Sequence, residues 1–242
     1  MRVFRALRSL AAWLSFAPAA LTLVGITIAF FFVQRVAARA DFLDGHSFGE
    51  MLVYCFGLHA PLLAEGFVWQ LVTYLFLHGG WIHLGLNMLT VLLFGSGLER
   101  EIGGRRFWTT FLAGGALGGL AWVAADALQP FAAAAAPGVA RWLALRTHAG
   151  VYGTCIGASG GVFALIGAYA ALFPRRETVV LVLFLPVRMK ARTLALFLGG
   201  LTILDAALLQ SQVAYAAHLA GGAAGYLYGL SLVRRRSLFR LA

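Results

Sequence analysis

Apolar residues dominate six runs of this chain, and each run is close to the length that a helix needs to cross a membrane. About 20 apolar residues span the hydrocarbon core as an α-helix. The runs cover residues 17–36, 81–98, 107–125, 156–173, 192–210 and 213–233. The pattern predicts an all-α, polytopic membrane protein with a bundle of six transmembrane helices. Residues 17–233 would form the membrane domain, between short basic tails at residues 1–16 and 234–242.

Two other apolar segments are too short or too broken to span a membrane. The long segment Ala37–Gly80 is interrupted by Gly57 and Pro61, so we expect a first loop that lies in the membrane interface. The alternative is a hairpin that enters the membrane, which would give eight spans and leave both termini on the same side. The valine-rich run Val179–Pro186 is expected to pack against the cytoplasmic face.

Composition and the placement of charge agree with a membrane location and predict an orientation. Apolar residues make up 61% of the chain and charged residues only 12%, whereas charged residues reach about 25% in soluble domains. Of the 19 Lys and Arg residues, 15 fall in alternate segments between the runs, which the positive-inside rule assigns to the cytoplasm. Both termini are therefore predicted to be cytoplasmic, and we expect a bacterial inner (cell) membrane. The net charge of +10 does not indicate nucleic acid as a partner.

A serine stands near the start of the fourth run, in the sequence Gly157-Ala158-Ser159-Gly160-Gly161. Serine and glycine at a helix start can simply cap the helix and let a neighbouring helix approach. The same place also suits a nucleophile, because the unpaired N–H groups of a first helical turn stabilise a developing oxyanion. The pentapeptide alone favours the capping interpretation, because short motifs match often by chance.

Three more polar residues shift that balance, because they are predicted to lie at the same depth as the serine. The second, fourth and sixth runs all lead inward from the outer surface, so His83, Asn87, Ser159 and His218 fall within the first two turns of their helices. His83 and Asn87 are four residues apart and share one helix face. A serine needs an adjacent base to act as a nucleophile, and close packing of the fourth and sixth helices would supply His218. The small residues that predict this packing are Gly161, Ala164 and Ala168 on the fourth run and Gly221 and Gly225 on the sixth.

Other chemistries fit the sequence less well. The nucleophile elbow of soluble hydrolases follows a buried strand, and Val151–Ile156 is short and broken by glycine. His78 and His83 lack the glutamate of a zinc-binding helix, so neither a metal nor another cofactor is expected. A transporter would show an inverted repeat and paired carboxylates, and we find neither pattern. Cys55 and Cys155 both fall on the predicted outer side, where one bridge is open to them but two free thiols are favoured.

With these residues in place, the chain resembles the rhomboid family of intramembrane serine proteases over residues 17–233. The motifs stand in the family's order: His78-x4-His83-x3-Asn87, Gly97-x-Glu99-x3-Gly103, Gly157-x-Ser159-Gly160 and Ala217-His218-x2-Gly221-x3-Gly225. The resemblance implies that Ser159 is the nucleophile and His218 the general base of a dyad. It also implies an oxyanion hole of His83, Asn87 and the Ser159 N–H. The implied supporting residues are His78, Gly157, Gly160, Phe163, Glu99, Gly221 and Gly225.

The resemblance implies an enzyme that cuts peptide bonds in or near transmembrane segments of other membrane proteins, surrounded by membrane lipid and without a cofactor. Two residues depart from the family's pattern. Phe163 stands where many members have tyrosine, and Gln70 follows Trp69 where many have arginine. We expect efficiency and substrate preference to depend on these positions more than activity itself. The alternative is a non-catalytic rhomboid-like protein that binds membrane clients, and a channel or transporter is a weaker third hypothesis.

Overall fold

The structure is a computed structural model that describes residues 17–42, 45–135, 153–182, 185–208 and 214–239. Helices predominate in these residues, and helices of different lengths lie at the places of the six predicted runs. In chain order the helices are α1 Pro18–Ala37, α2 Phe48–Phe56, α3 Ala60–Ala64, α4 Gln70–Thr73, α5 Trp81–Thr90, α6 Ser96–Ile102, α7 Gly104–Ala135, α8 Ser159–Leu172, α9 Ala191–Leu208 and α10 Tyr215–Phe239. The predicted tail 1–16 lies outside the described residues, whereas the predicted tail 234–242 begins inside α10.

Three stretches of helix are long and apolar enough to cross a membrane, namely Pro18–Ala37, Trp81–Ile102 and Gly104–Leu128. Two more helical stretches, Ser159–Leu172 and Ala191–Leu204, are apolar but shorter. Proline suits the first turn of α1, because its missing N–H would have no partner there. The hydropathy pattern thus located the membrane helices, and the exact number of spans remains a prediction.

The second long helix changes its winding halfway along. Its first half is α5 and its second half is α6, and a π turn at Val91–Gly95 joins them without a break. A π turn places one more residue in the turn than an α-helix does. The two halves therefore present their side chains at an altered angle to each other.

Helix α8 forms the centre of the bundle, with nearly every side chain from Gly160 to Ala171 buried. It packs against α7 and α10 through residues too small to hold the backbones apart. A Cβ added at Gly114 of α7 would clash with the Ala164 Cβ of α8. A Cβ at Gly225 of α10 would clash with the Ala164 oxygen of α8. Close approach of small residues is the usual way in which membrane helices associate.

One detail of this packing differs from the prediction. Gly161 does not face the sixth helix, because a Cβ added there would lie 2.6 Å from the Phe111 ring of α7. Its neighbour Gly160 takes the predicted place, with its carbonyl against Gly221 of α10. Adjacent small residues give the sequence pattern no way to decide which of them faces which helix.

The first loop contains only short helices. The longest of them, α2, has nine residues, so within residues 45–80 no helix is long enough for the alternative hairpin through the membrane. A capping box of Ser47 and Glu50 starts α2. Several apolar side chains of the loop are exposed, as the predicted interfacial location requires: Phe48, Tyr54, Phe56, Val68 and Trp69.

The all-α prediction misses a β-hairpin between α8 and α9. Strand β1, Glu177–Val182, pairs antiparallel with β2, Leu185–Lys190, and Val180 lies opposite Val187. The run Val179–Pro186, for which we expected packing against the cytoplasmic face and no strand, supplies half of the residues of the two strands. Its high content of β-branched residues is the feature that favours strands.

Candidate active site

The hydroxyl of Ser159 and the imidazole of His218 are in hydrogen-bond contact. Ser159 is the first residue of α8 and His218 lies in the first turn of α10, and the Oγ–Nε2 distance is 2.7 Å. A hydroxyl that donates to a neutral imidazole has this length. The contact depends on the close packing of the two helices at Gly160 and Gly221, because a side chain at Gly221 would meet the Gly160 carbonyl.

Phe163 packs against one face of the His218 ring. Its ring and that of His218 are stacked with centroids 4.4 Å apart and planes 8° apart. Phe163 lies one turn after Ser159 on α8, so a single helix supplies both the hydroxyl and the surface on which the imidazole rests.

His83 approaches the chain just before the serine, at Gly157. Gly157 has a φ of +129°, and a Cβ there would lie 2.6 Å from Cε1 of His83. Glycine is therefore required at this position for two reasons, namely the backbone conformation and the neighbouring His83 ring. Asn87 lies one turn further along α5, where it is buried and its Nδ2 donates to the His83 oxygen at 2.9 Å.

A cavity of about 450 Å³ opens beside the serine. Among the described residues its lining is Gly79, His83, Trp122, Gly153, Thr154, Cys155, Ile156, Ser159, Ala214 and His218. The structure thus brings three of the predicted site residues, His83, Ser159 and His218, to one cavity. Asn87 is not part of that lining. Trp122 and Ala214 were not singled out by the sequence pattern, because an apolar residue in a span carries no signal of its own.

The second nucleophilic atom in this cavity, the Cys155 sulphur, is poorly suited to reaction. Burial raises the pKa of the Cys155 thiol to about 12, so the thiol stays protonated at neutral pH, and the thiolate is the reactive form. Cys55 and Cys155 are both free thiols, in agreement with the interpretation that the sequence favoured.

A second cavity, of about 410 Å³, lies between α8, α9 and α10. Its lining is almost entirely apolar and includes Ile166, Leu196 and Tyr226, with Arg192 as a charged residue. Phe163 and His218 belong to this lining as well. The histidine thus borders two cavities, and the one beside Ser159 has more polar groups in its wall than the one between α8, α9 and α10.

The segment that leads into Ser159 is held by the first loop. The backbone of Cys155 exchanges two hydrogen bonds with Leu58, at 3.0 and 2.9 Å. The Gly157 N–H donates to the Tyr74 carbonyl at 2.9 Å, and the Ala158 N–H donates to Nε2 of His78 at 3.4 Å. His78 therefore acts on the site through the backbone. Burial, assisted by the nearby His83, lowers the pKa of His78 to about 4, so its ring is neutral and can accept this bond at pH 7.

Tyr74 and Leu58 escaped the sequence analysis, because they act through backbone groups and one buried hydroxyl. The Tyr74 hydroxyl donates to the Gly115 carbonyl of α7 at 2.8 Å. The Tyr74 hydroxyl oxygen also lies 2.9 Å from the place where a Cβ at Gly160 would be. Gly160 is therefore enclosed between Tyr74 and α10, and a larger residue would displace the start of α8.

Glu99 lies at the other end of the bundle and stabilises the fold. Its two carboxylate oxygens accept the N–H groups of Ala19 and Ala20, each at 2.8 Å. These are unpaired N–H groups of the first turn of α1, where a negative charge is favoured. Among the described residues no group of three or more His, Cys, Asp or Glu side chains is arranged to hold a metal ion.

Comparisons with known proteins show which family this chain resembles. The Rhomboid domain family model matches residues 65–235. The human Rhomboid-related protein 3 is 34% identical over 113 residues, which are 47% of this chain and 22% of that protein. The mitochondrial Rhomboid protein 1 of Saccharomyces cerevisiae is 28% identical over 154 residues, 64% of this chain and 39% of that protein. Rhomboid protease GluP of Bacillus subtilis is 30% identical over 137 residues, 55% of this chain and 22% of that protein.

The matched stretch spans less than half the length of each of these relatives. The family model, in contrast, covers most of the chain, from the second half of the first loop to the last turns of α10. Together with the apolar helices, this match identifies an integral membrane protein. The chain belongs to the rhomboid family.

Proposed function

We propose that the protein is an intramembrane serine endopeptidase that uses Ser159 and His218 as a catalytic dyad. The observation that carries this proposal is the 2.7 Å contact between Oγ and Nε2. A serine hydroxyl is a weak nucleophile unless a base can take its proton, and the stacked Phe163 ring keeps the base in place. Rhomboid protease GluP is named as a protease, which agrees with this chemistry.

In the proposed mechanism Ser159 Oγ attacks the carbonyl carbon of the scissile peptide bond while Nε2 of His218 takes the hydroxyl proton. The imidazolium then gives that proton to the leaving amine, and an acyl-enzyme remains on Ser159. Water from the 450 Å³ cavity attacks the acyl group, with His218 again as the base. This sequence of steps needs only a serine, a histidine and water.

The negative charge on the carbonyl oxygen would be stabilised by His83, Asn87 and the Ser159 N–H. Ser159 begins α8, so the positive end of the helix dipole points toward the reacting carbonyl. The contact between His83 and Gly157 supports a role for the imidazole next to the serine. The second hydrogen of the Asn87 amide remains for the oxyanion, since the other goes to the His83 carbonyl.

The substrates we propose are transmembrane segments of other membrane proteins. The apolar cavity between α8, α9 and α10 meets the dyad at His218, so apolar residues next to the scissile bond could enter it from the bilayer. The cavity beside Ser159 provides the polar space that hydrolysis needs. A substrate would thus contact an apolar wall on one side and, on the other, a wall that includes the polar side chains of His83 and Thr154.

We also propose the orientation that the charge pattern predicts, with six spans over residues 17–233 and basic cytoplasmic tails, in a bacterial inner membrane. In a variant whose free thiols Cys55 and Cys155 are replaced by Ser, cysteines introduced at Arg105 and Arg176 should be shielded from an impermeant thiol reagent added outside intact cells. A cysteine in the first loop, at the exposed residue Val68, should react. Labelling at Arg105 from outside would contradict the orientation.

The activity can be tested with the purified protein in detergent and a model transmembrane substrate. Wild type should cut the substrate and should be labelled at Ser159 by a fluorescent fluorophosphonate, whereas Ser159→Ala and His218→Ala should do neither. The alternative, a rhomboid-like protein that only binds membrane clients, predicts binding without cleavage or labelling. Equal labelling of wild type and His218→Ala would contradict the dyad.

A further inference from the structure

The extended segment before Ser159 makes a side-chain contact with the first loop in addition to its backbone bonds. Thr154 lies next to Cys155, whose backbone pairs with Leu58. Its hydroxyl oxygen is 3.3 Å from each ring nitrogen of His59. Cys155 is therefore held through its backbone and Thr154 through its side chain. Thr154 also belongs to the wall of the cavity beside the serine.

His59 is itself held firmly in the loop. Its backbone N–H donates to Oε1 of Gln70 at 3.1 Å, and its ring Nε2 lies 3.4 Å from the Val53 carbonyl. Gln70 is completely buried, and its Nε2 donates to the carbonyls of Tyr54 and Cys55 at 3.1 and 3.3 Å. The end of α2, α4 and His59 therefore form one hydrogen-bonded unit.

The chemistry of the ring decides the direction of each bond. A carbonyl can only accept, so the nitrogen beside Val53, Nε2, carries the hydrogen. Burial lowers the pKa of His59, which favours a neutral ring at pH 7. Nδ1 is then an acceptor, and the Thr154 hydroxyl donates to it. The neutral imidazole thus links the first loop to the serine segment through one donor and one acceptor.

We propose that His59 is a positioning residue for Ser159. Its contact with Thr154 fixes the position of segment 153–158 relative to the first loop, and this segment leads directly into Ser159 at the start of α8. The inference rests on the proposed function. Residues 155, 157 and 158 are fixed by Leu58, Tyr74 and His78, and Thr154 completes this row. Loss of the His59 contact frees the N-terminal end of the segment and allows Ser159 to shift. Because the other bonds remain, the protein stays folded.

The test measures the rate at which a fluorophosphonate labels Ser159 and compares wild type with variants of His59 and Thr154, each as the full-length protein in detergent. His59→Ala and Thr154→Val should each slow labelling by about tenfold, the factor that one lost hydrogen bond corresponds to in a rate. The double variant should be no slower than either single variant, because both remove the same contact. His59→Asn, whose amide can still accept from Thr154, should recover part of the rate.

A matched control is available in the same loop. His46 has a largely exposed ring that lies 3.5 Å from Glu50, and His46→Ala should be labelled at the wild-type rate. Melting temperatures measured on the same samples separate positioning from folding. A purely structural His59 would lower the melting temperature and leave the labelling rate of the folded fraction unchanged.

The outcomes distinguish this inference from the function on which it rests. If wild type is labelled and both His59→Ala and Thr154→Val are labelled equally fast, His59 has no positioning role. Multiplicative losses in the double variant would also overturn the inference, since the two residues would then act separately. If the wild type itself is not labelled, the proposed protease function fails, and the positioning role fails with it.

Discussion

The Phe163 ring lies flat on the imidazole of His218, with 4.4 Å between the ring centroids. Phe163 comes from α8 and His218 from α10, so the stack joins the two helices whose first turns form the candidate dyad. The stack covers one face of the imidazole with an apolar ring, while Nε2 at the ring edge meets the Ser159 hydroxyl.

Replacing Phe163 with Leu should slow cleavage of a model transmembrane substrate by about two- to tenfold, because aromatic pairs contribute about 0.5–1.5 kcal/mol beyond their buried area. Phe163→Tyr keeps the ring and should retain the wild-type rate. Both rates are measured with the full-length protein in the same detergent. A Leu variant as fast as wild type would show that the stack does not orient His218.

Adding one methyl group at Gly221 should separate the two catalytic side chains. In Gly221→Ala the new Cβ meets the Gly160 carbonyl, so α10 must move away from α8. Fluorophosphonate labelling of Ser159 should fall about tenfold or more, since a 2.7 Å contact does not survive a displacement of an ångström. Gly200→Ala is the control, because a Cβ there has no atom within 4 Å.

Loss of a carboxylate oxygen at Glu99 should weaken the fold and leave the chemistry intact. Glu99→Gln replaces one of the two oxygens that accept the N–H groups of Ala19 and Ala20 by an NH2 group. A buried N–H without an acceptor costs about 1–3 kcal/mol, so the melting temperature should fall. The labelling rate of the folded fraction should stay at the wild-type level, and a change in that rate would place Glu99 in the catalytic machinery.

Acid should destabilise the protein through His78. Its pKa is lowered from the usual 6.5 to about 4, so the unfolded chain takes up a proton at His78 before the folded protein does. The stabilising contribution of the neutral ring is therefore complete above pH 6.5 and is lost as the pH falls toward 4. The shift corresponds to roughly 3 kcal/mol.

The measurement is thermal unfolding in detergent at pH 7 and pH 4.5 for wild type and His78→Gln, whose amide oxygen can still accept the Ala158 N–H. The variant should lose clearly less stability on acidification than wild type. His46→Gln, at an exposed ring, should behave as wild type does. An equal loss in wild type and His78→Gln would assign the acid sensitivity to other groups.

The sequence predicted the elements that have a strong local pattern. The fourth run was placed at residues 156–173 and the helix is Ser159–Leu172, because a helix in a membrane must be apolar on all sides. The hairpin was missed because Val179–Pro186 is too short for its period to be read. Valine content was the signal that favoured strands there.

The site was predictable in its catalytic candidates and hidden in its supports. Ser159 and His218 stand beside small residues that predict helix contact, and the contact exists, although Gly160 rather than Gly161 faces α10. His59 and Tyr74 hold the serine segment through bonds to residues about 80 to 95 positions away, and Gln70 in turn holds His59. Backbone carbonyls and N–H groups have no residue type, so no pattern of residues reveals such pairs.

The π turn at Val91–Gly95 fixes the number of residues that the continuous helix of α5 and α6 must contain. His83 before it approaches the serine segment at Gly157, and Glu99 after it reaches the start of α1. Each residue of an α-helix advances the side-chain direction by about 100°. Deleting one residue from the turn could restore a regular α-helix and every backbone hydrogen bond. The two halves would then be rotated against each other by about that angle, and the helix could not serve Ser159 at one end and α1 at the other.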